Sequence, residues 1–282
     1  MTAPADAPAL REAPPPSRIA ATFARCKAEG RAALIPFVTA GYPSVAQTEV
    51  LIEAMVAGGA DLVEIGVPFS DPLADGATIQ ATSQKALENG TTLGDCLAIA
   101  GRIRAKGIET PMLLMGYTNP FYQYGLDRLA NDAAEAGIDG LIVPDLPSDE
   151  SDEFGAPLRA HGRDLIFLLA PTSTPARIKD IASRASGFIY CVSLTGVTRA
   201  RTSLSDDLPA YIARVRAQTD LPLAIGFGIS NAAQVAQASA LADGVVVASA
   251  LINNLDSLPE NGQAEGATSF VRGLSAATKR QE

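Results

Sequence analysis

The chain has 282 residues, of which 47 % are hydrophobic, and its 31 acidic residues outnumber 22 basic ones, giving a formal net charge of −9. It contains no run of five basic residues, so composition argues against nucleic acid and anionic membranes as partners. The single histidine, His161, follows a predicted helix and is interpreted as a surface residue. This argues against a Ser-His-Asp triad and against a multi-histidine metal site.

The N-terminal region and the cysteines indicate where the protein works. Residues 1–16 are rich in Pro and Ala, lack the pattern of a secretory signal, and are predicted to form a disordered tail. The cysteines Cys26, Cys96 and Cys191 are scattered without CxxC spacing, which is typical of reduced thiols in the cytoplasm. No apolar stretch reaches the ~18 residues of a membrane span.

In chain order, a helix is predicted first, from an N-cap at Ser17 to a stop at Gly30. Short apolar runs, typical of strands buried on both faces, then alternate with amphipathic helical stretches. The runs cover residues 32–40, 61–66, 111–116, 140–145, 164–170, 187–193, 221–228 and 243–249.

Eight strands alternating with helices predict one (β/α)8 barrel domain, a TIM barrel, over residues 17–282, with an extra N-terminal helix. A doubly wound open sheet is the alternative. It would be expected to carry a GxGxxG fingerprint after the first strand, and "VTAGYPS" is not one.

In such a barrel the chemistry lies where the strands run into the following loops. Glu64 stands inside the second apolar run and shares one strand face with Leu62 and Gly66. If that face is the barrel interior, burial should raise the pKa of Glu64 and suit it to acid-base work. The alternative is a structural acid that is paired with a lysine or hydrogen-bonded to the backbone.

The loops after strands two, seven and eight carry further candidates. Asp71 and Asp75 follow Glu64, but Asp in a "DPLADG" segment is also favoured by turn geometry alone. Gly228 and Ser249 precede predicted helices, whose free amides and dipoles could hold a phosphate; glycine there could also serve close packing. No lysine lies at a strand end, which disfavours imine chemistry. The residues alone therefore indicate an acid-base lyase or isomerase acting on a phosphorylated substrate.

Several segments, in this order and with barrel spacing, closely resemble the tryptophan synthase alpha chain family over about residues 18–255. They read "FVTAGYP", "EIGVPFSDPLADGATIQ", "LMGYTNP", "PDLP" and "IGFGIS". The resemblance implies a carbon–carbon lyase that cleaves indole-3-glycerol phosphate to indole and glyceraldehyde 3-phosphate by a retro-aldol reaction without a cofactor.

The resemblance also implies residue roles. Glu64 would be the general acid-base group, and Asp75 would accept a hydrogen bond from the indole N–H. The substrate-binding residues implied are Phe37, Tyr117, Tyr190, Thr198 and Phe227, with Thr198 in a lid after strand six. Those implied for phosphate are Arg199, Gly228, Ala248 and Ser249, and no metal ligand is expected.

Two positions depart from the family pattern, since Arg199 and Ala248 stand where glycines are common. Both changes are expected to restrict the backbone, although Arg199 could instead direct its guanidinium to the phosphate. The family works with a beta subunit, in an alpha2-beta2 complex, that carries pyridoxal phosphate and receives the indole for tryptophan synthesis. Asp71, Pro72 and Asn119 match segments that face this partner.

Two alternatives stay open at this stage. Another phosphate-binding barrel, such as a sugar-phosphate epimerase, typically needs metal-binding histidines. A catalytically weak subunit that mainly activates its beta chain would account for the departures at Arg199 and Ala248.

Overall fold

A computed structural model describes residues 17–193, 206–226 and 228–280. The predicted first helix is present as α1 (Arg18–Ala28). The Ser17 hydroxyl caps it by accepting a hydrogen bond from the Ala20 N–H at 3.2 Å. Gly30, with φ of +68°, lies in the left-handed region that favours glycine after a helix. The predicted tail, residues 1–16, lies outside the described residues.

The predicted (β/α)8 barrel is confirmed, because eight parallel strands close on themselves in chain order and β1 pairs with both β2 and β8. All eight apolar runs contain a strand. The strands are β1 (Ala33–Thr39), β2 (Val63–Gly66), β3 (Met112–Met115), β4 (Gly140–Ile142), β5 (Asp164–Leu169), β6 (Ile189–Val192), β7 (Leu223–Gly226) and β8 (Gly244–Val247).

Helices follow the strands and cover the outside of the barrel. Beyond α1, the helices within the described ranges are α2 (Val45–Ala57), α3 (Ala77–Glu88), α4 (Leu93–Ala105), α5 (Thr118–Tyr124), α6 (Leu126–Glu135), α7 (Ser151–Ala160), α8 (Pro175–Arg184), α9 (Leu208–Arg216), α10 (Ala232–Leu241), α11 (Ser249–Asp256) and α12 (Gln263–Ser275). His161 is exposed directly after α7, as predicted. No helix of the described ranges is both long and apolar enough to cross a membrane.

The barrel interior is filled by alternate strand residues, as the period of two requires. Ile35, Leu113, Ile166 and Ala224 belong to one buried cluster with Leu62. Helix α1 closes the base of this cluster through Ile19, Phe23 and Cys26. The rings of Phe23 and Phe188 lie 5.5 Å apart between centroids. Because the base is closed by packed side chains, access to the interior is from the carboxyl ends of the strands.

Four aspartates stand at the amino ends of strands, and the best satisfied is Asp61, just before β2. Arg31 binds both of its oxygens, with Nη1–Oδ2 at 2.6 Å and Nη2–Oδ1 at 2.7 Å. Arg25 and the Leu34 N–H donate further hydrogen bonds at 2.9 and 3.0 Å. Burial acts to raise the pKa of Asp61, but the hydrogen bonds from Arg31 and the Leu34 amide, with the Arg31 charge, outweigh it, and the pKa is lowered.

The other three repeat this arrangement in part. Asp139, before β4, accepts hydrogen bonds from Arg104 at 2.7 Å and from the Met112 N–H at 2.9 Å. Asp243, before β8, is paired with Arg216 and accepts a bond from the Leu223 N–H at 3.0 Å.

Asp164 differs in having a hydroxyl partner: Ser17 Oγ donates to its Oδ2 at 2.7 Å. Burial raises the pKa of Asp164, against the effect of its hydrogen bonds with Ser17 and Ser186.

Candidate active site

Glu64 lies at the middle of β2 and faces the barrel interior. It is in register with Phe37 of β1 and Leu113 of β3, and Leu113 belongs to the interior cluster. Because strand residues alternate, Glu64 shares the inner face with Leu62, which is also in that cluster. From the sequence this orientation was the condition for a raised pKa of Glu64. The carboxyl group therefore lies above the apolar filling, towards the open end of the barrel.

The environment of Glu64 is dry. The residue is 1 % exposed, and its Oε1 has no hydrogen-bond partner among the residues that the structure describes. Burial raises the pKa of Glu64 to about 8. Such an orphaned oxygen is costly in a core, so its retention points to a function rather than to stability. Oε1 is therefore not paired with a lysine or with the backbone of the described residues, which was the structural alternative.

Asp75 lies in the loop between β2 and α3 and is partly buried. Its own N–H donates to the Pro72 carbonyl at 3.0 Å, so the turn role considered from the sequence is present. Its carboxylate also interacts with the hydroxyl of Tyr117. Burial raises the pKa of Asp75 to about 6, and the Tyr117 hydrogen bond acts in the opposite direction. Asp75 is thus both a turn residue and a carboxylate with a perturbed pKa.

Tyr190, on β6, is buried and electrostatically coupled to both acids. Burial, and then the charges of Glu64 and Asp75, raise its phenol pKa well above the ordinary value. Opposite its ring, β7 carries Gly226, where an added Cβ would lie 2.1 Å from the Tyr190 hydroxyl. Gly226 therefore leaves the space that the Tyr190 side chain occupies. The structure brings Glu64, Asp75 and Tyr190 together at one end of the barrel.

An apolar wall borders the acids. Phe37, which the family resemblance implied as a substrate-binding residue, is buried in a cluster with Ile79 and Ile252. Met115 and Ala248 pack against the same cluster. An added Cβ at Gly66 would lie 2.4 Å from Phe37 Cζ, so glycine there admits the ring. These side chains offer a flat aromatic ligand an apolar surface beside the carboxylates.

The predicted phosphate end includes the start of α11. Helix α11 begins at Ser249, after Ala248, and no side chain caps it, so its first amides stay available to an anion. By contrast, α10 is capped by Asn231, whose side chain accepts a bond from the Gln234 N–H at 3.0 Å. Gly228 is exposed, with φ of +78°. The geometry favours α11 over α10 as the anion-binding helix.

The backbone restriction expected at Ala248 does not arise from a positive φ. Ala248 has φ of −119°, outside the left-handed region that favours glycine. Its methyl group instead joins the apolar wall with Phe37 and Ile252. Thr198, Arg199 and Phe227 lie outside the described residues, so the lid and the second departure from the family pattern stay predictions.

The residues expected to face a partner lie in the loop between β2 and α3 and at the start of α5. Asp71 is exposed, and so is Asn119 in α5. Pro72 is partly buried, and Leu73 beside it is 92 % exposed, the highest exposure among the large hydrophobic side chains of the described ranges. A fully exposed leucine between two acid-bearing positions is the kind of feature that an interface covers.

Several site residues were not singled out from the sequence. They are Phe69, Ile79, Met115 and Ile252. Phe69 and Ile79 stand within the segment "EIGVPFSDPLADGATIQ", so their position beside Glu64 and Asp75 was the available signal. Within the described ranges, no group of three or more His, Cys, Asp or Glu side chains is arranged to hold a metal ion.

Comparisons with known proteins agree on one family. The profile described as "Tryptophan synthase alpha chain" matches residues 23–279. The "Tryptophan synthase alpha chain" of Roseiflexus sp. (strain RS-1) is 55 % identical over 258 residues, which are 92 % of this chain and 99 % of the relative.

Solved structures extend the agreement to the fold. A Mycobacterium tuberculosis tryptophan synthase structure superposes with a TM-score of 0.87 at 38 % identity, covering 94 % of this chain and 100 % of that one. The tryptophan synthase subunit alpha of Legionella pneumophila gives a TM-score of 0.86 at 36 % identity, covering 93 % and 98 % of the two chains.

Proposed function

The chain belongs to the tryptophan synthase alpha chain family, lyases that cleave indole-3-glycerol phosphate to indole and glyceraldehyde 3-phosphate, and from this premise we propose the roles of its residues. Glu64 is the acid-base group. Its protonated carboxyl donates to C3 of the indole ring, and the resulting carboxylate accepts the proton of the adjacent glycerol hydroxyl. As that hydroxyl becomes the aldehyde, the carbon–carbon bond breaks and its electron pair returns to the indole ring.

The observation that carries this proposal is the buried Glu64 carboxyl, whose Oε1 has no hydrogen-bond partner in the described part of the chain. A carboxyl with a pKa of about 8 holds its proton at neutral pH and releases it at small cost. An acid already bonded to an arginine, as Asp61 is, could do neither.

Asp75 has the complementary role. With a pKa of about 6 it is mostly ionised at neutral pH, and its carboxylate accepts a hydrogen bond from the indole N–H. The negative charge stabilises the positive charge that develops when C3 is protonated. Phe37, Tyr117, Tyr190 and Phe227 hold the ring, and Thr198 closes over it.

The phosphate group is placed at the other side of the site. Its oxygens accept hydrogen bonds from the first amides of α11 at Ser249, with Ala248, Gly228 and Arg199 around them. An acidic chain of net charge −9 needs such local donors to hold an anion.

The exposed surface around Asp71, Pro72 and Asn119 binds a beta subunit in an alpha2-beta2 complex, to which indole is passed for tryptophan synthesis. Leu73 supplies the apolar contact. Pyridoxal phosphate belongs to that partner, and the chain itself needs no cofactor and works in the cytoplasm.

The experiment is the release of indole from indole-3-glycerol phosphate by Glu64→Gln, with and without a beta subunit. We expect a loss of about 10²- to 10⁴-fold, since general acid-base groups contribute this much. The matched control is Glu53→Gln, which changes a surface glutamate paired with Lys106 and should keep wild-type turnover. Full turnover by Glu64→Gln would remove Glu64 from the mechanism.

The same assay separates the catalytic subunit from a mainly regulatory one. Cleavage by the wild-type chain in the complex supports catalysis, whereas stimulation of the beta chain without any cleavage would support the regulatory alternative.

The paired pKa values also predict a bell-shaped pH dependence. Activity falls below about pH 6 as Asp75 gains a proton, and above about pH 8 as Glu64 loses one. In Asp75→Asn the fall of activity on the acid side of the profile, its acid limb, disappears together with most of the activity. The pH dependence of kcat/KM measures both changes.

A further inference from the structure

The hydroxyl of Tyr117 makes two contacts with the loop that carries Asp75. The Ala74 N–H donates a hydrogen bond to it at 3.0 Å. The same hydroxyl interacts with the carboxylate of the next residue, Asp75. Since the amide can only donate, one lone pair of the phenol oxygen is used by Ala74 and the phenol proton is free to point at Asp75.

We propose that Tyr117 is a positioning residue for Asp75, in addition to lining the apolar pocket with its ring. The Ala74 amide fixes the hydroxyl, and the hydroxyl holds one carboxylate oxygen, so that the other is presented to the heterocycle. This inference rests on the proposed role of Asp75. A hydroxyl that accepts from an amide also becomes a stronger donor, because hydrogen bonds in a chain polarise one another.

The backbone of Tyr117 is itself held in place. Tyr117 is the N-cap of α5, and the next residue, Thr118, donates from its N–H and its hydroxyl to the two Asp145 oxygens at 2.9 and 2.8 Å. On the other side, the Gly116 N–H donates to the Ile142 carbonyl at 3.1 Å. A phenol hydroxyl can define a carboxylate position only if its own chain is fixed, and both flanking residues fix it.

The ring of Tyr117 is braced by Phe69. The two ring centroids lie 5.3 Å apart with the planes tilted by 32°, within the distance range at which aromatic rings attract each other. Phe69 and Ala74 belong to the same loop as Asp75, so this loop contacts Tyr117 at the ring and at the hydroxyl. Rotation of the phenol away from Asp75 would break both contacts.

The titratable groups that face this arrangement from the described elements are few. Tyr117, from the start of α5, and Tyr190, from β6, interact with Asp75. Asp145, after β4, interacts with Tyr117. Burial raises the pKa of Tyr117, so its hydroxyl keeps its proton over the working pH range and remains a donor to Asp75.

The test is Tyr117→Phe, which keeps the ring and removes only the hydroxyl. Without this hydrogen bond the carboxylate loses stabilisation, so the acid limb of kcat/KM should move up by about one pH unit, as expected for one hydrogen bond to a charged group. Activity near pH 6 should fall about fivefold, while at pH 8 the loss should be about twofold at most, because Asp75 is ionised there in both proteins.

Tyr124→Phe is the matched control. Tyr124, at the end of α5, also donates to a carboxylate, Asp132 Oδ2 at 2.6 Å, away from the site. Its removal should leave the pH profile in place. Phe69→Leu serves as a second variant that keeps the Tyr117 hydroxyl but loosens its ring, and it should move the acid limb in the same direction by a smaller amount.

An equal loss of activity at every pH, or an unmoved acid limb in a folded Tyr117→Phe protein, would overturn the inference. These outcomes differ from a failure of the proposed function. If Asp75→Asn is fully active, the role of Asp75 itself is wrong. If Asp75→Asn is inactive while Tyr117→Phe has the wild-type pH profile, Asp75 keeps its role and Tyr117 loses the one inferred for it.

Discussion

One buried acid stands just before strand β2 and another stands within it, and their surroundings shift the two pKa values in opposite directions. Asp61, before the strand, is bound by Arg31 and Arg25 and by a backbone amide, and its pKa is lowered. Glu64, inside the strand, has an oxygen without a described partner, and its pKa is raised to about 8. Burial acts on both groups, so the difference lies in the cations and amides around each one.

The contrast extends to the two ends of the barrel. At the base, Asp61, Asp139 and Asp243 are each joined to at least one arginine and to the amide of a neighbouring strand. At the open end, Glu64 and Asp75 have raised pKa values. These three acids at the base therefore hold strands together. Glu64 and Asp75 at the open end lower the stability of the fold, but their perturbed pKa values suit them to catalysis.

The largest expected effect comes from breaking the arrangement at the base. Asp61→Asn removes the buried charge that pairs with Arg31 and Arg25, and should lower the free energy of unfolding by about 3–5 kcal/mol, the usual cost of removing one member of a buried ion pair. The wild-type advantage should be complete above the unfolded pKa and disappear as the pH falls through the lowered folded pKa. Urea unfolding at several pH values measures it, with exposed Asp149→Asn as control. Equal stability of Asp61→Asn and wild type at pH 7 would contradict this interpretation of the base.

The opposite sign is expected at Glu64. Because its folded pKa lies above the unfolded value, the native state holds more protons between about pH 4 and pH 8, and wild-type stability falls as the pH rises through this range. Glu64→Gln removes this loss and should be more stable than the wild type at pH 9 by up to about 5 kcal/mol, since each unit of pKa difference between the folded and unfolded states corresponds to about 1.4 kcal/mol. Thermal unfolding at pH 5 and pH 9 provides the comparison. A variant less stable than the wild type at pH 9 would mean that the Glu64 carboxylate is well solvated or paired.

A smaller effect is expected at Ser17, whose hydroxyl both caps α1 and donates a hydrogen bond to Asp164 at the base of the barrel. Ser17→Ala removes the cap of α1 and the hydrogen bond to Asp164, and should cost about 1–2 kcal/mol. Ser17→Thr, which keeps a hydroxyl, should restore most of this. Chemical denaturation of the three proteins decides the point, and a neutral Ser17→Ala would show that α1 is held by its apolar face alone.

The smallest effect is expected for an ion pair on the outer surface. Lys106 pairs with Glu53 between α4 and α2, where both side chains are partly exposed. Lys106→Gln should change the free energy of unfolding by about 0.5 kcal/mol or less. A loss comparable to that of Asp61→Asn would remove the distinction between buried and surface acids on which the comparison depends.

Much of this contrast was accessible from the sequence. The apolar runs predicted the strands because β-branched and leucine residues fill both faces of a covered parallel sheet. A glutamate within such a run was the clearest sign of a functional group. Aspartates that open an apolar run, as Asp61, Asp164 and Asp243 do, were a further sign in the sequence of the carboxylates at the base of the barrel.

Other features depend on the path of the chain in space. The partners of Asp61 and Asp243 come from distant segments, such as Arg31 and Arg280, and no local pattern predicts those pairs. The contact between the Ala74 amide and the Tyr117 hydroxyl requires the loop after β2 to reach the start of α5. At Ala248 the family pattern suggested a glycine conformation, but the observed φ of −119° lies outside the left-handed region that favours glycine. The roles of Thr198, Arg199 and Phe227 stay predictions.

The closure of the barrel between β1 and β8 has a consequence for biogenesis. Ala33 is in register with Gly244, and the Arg280 N–H donates to the Gly30 carbonyl at 3.0 Å. On the ribosome, the first strand must wait for almost all of the described chain to emerge before its second neighbour exists. A nascent chain exposes this unpaired strand edge throughout that interval, and a chaperone that shields such edges is expected to raise the yield of the enzyme.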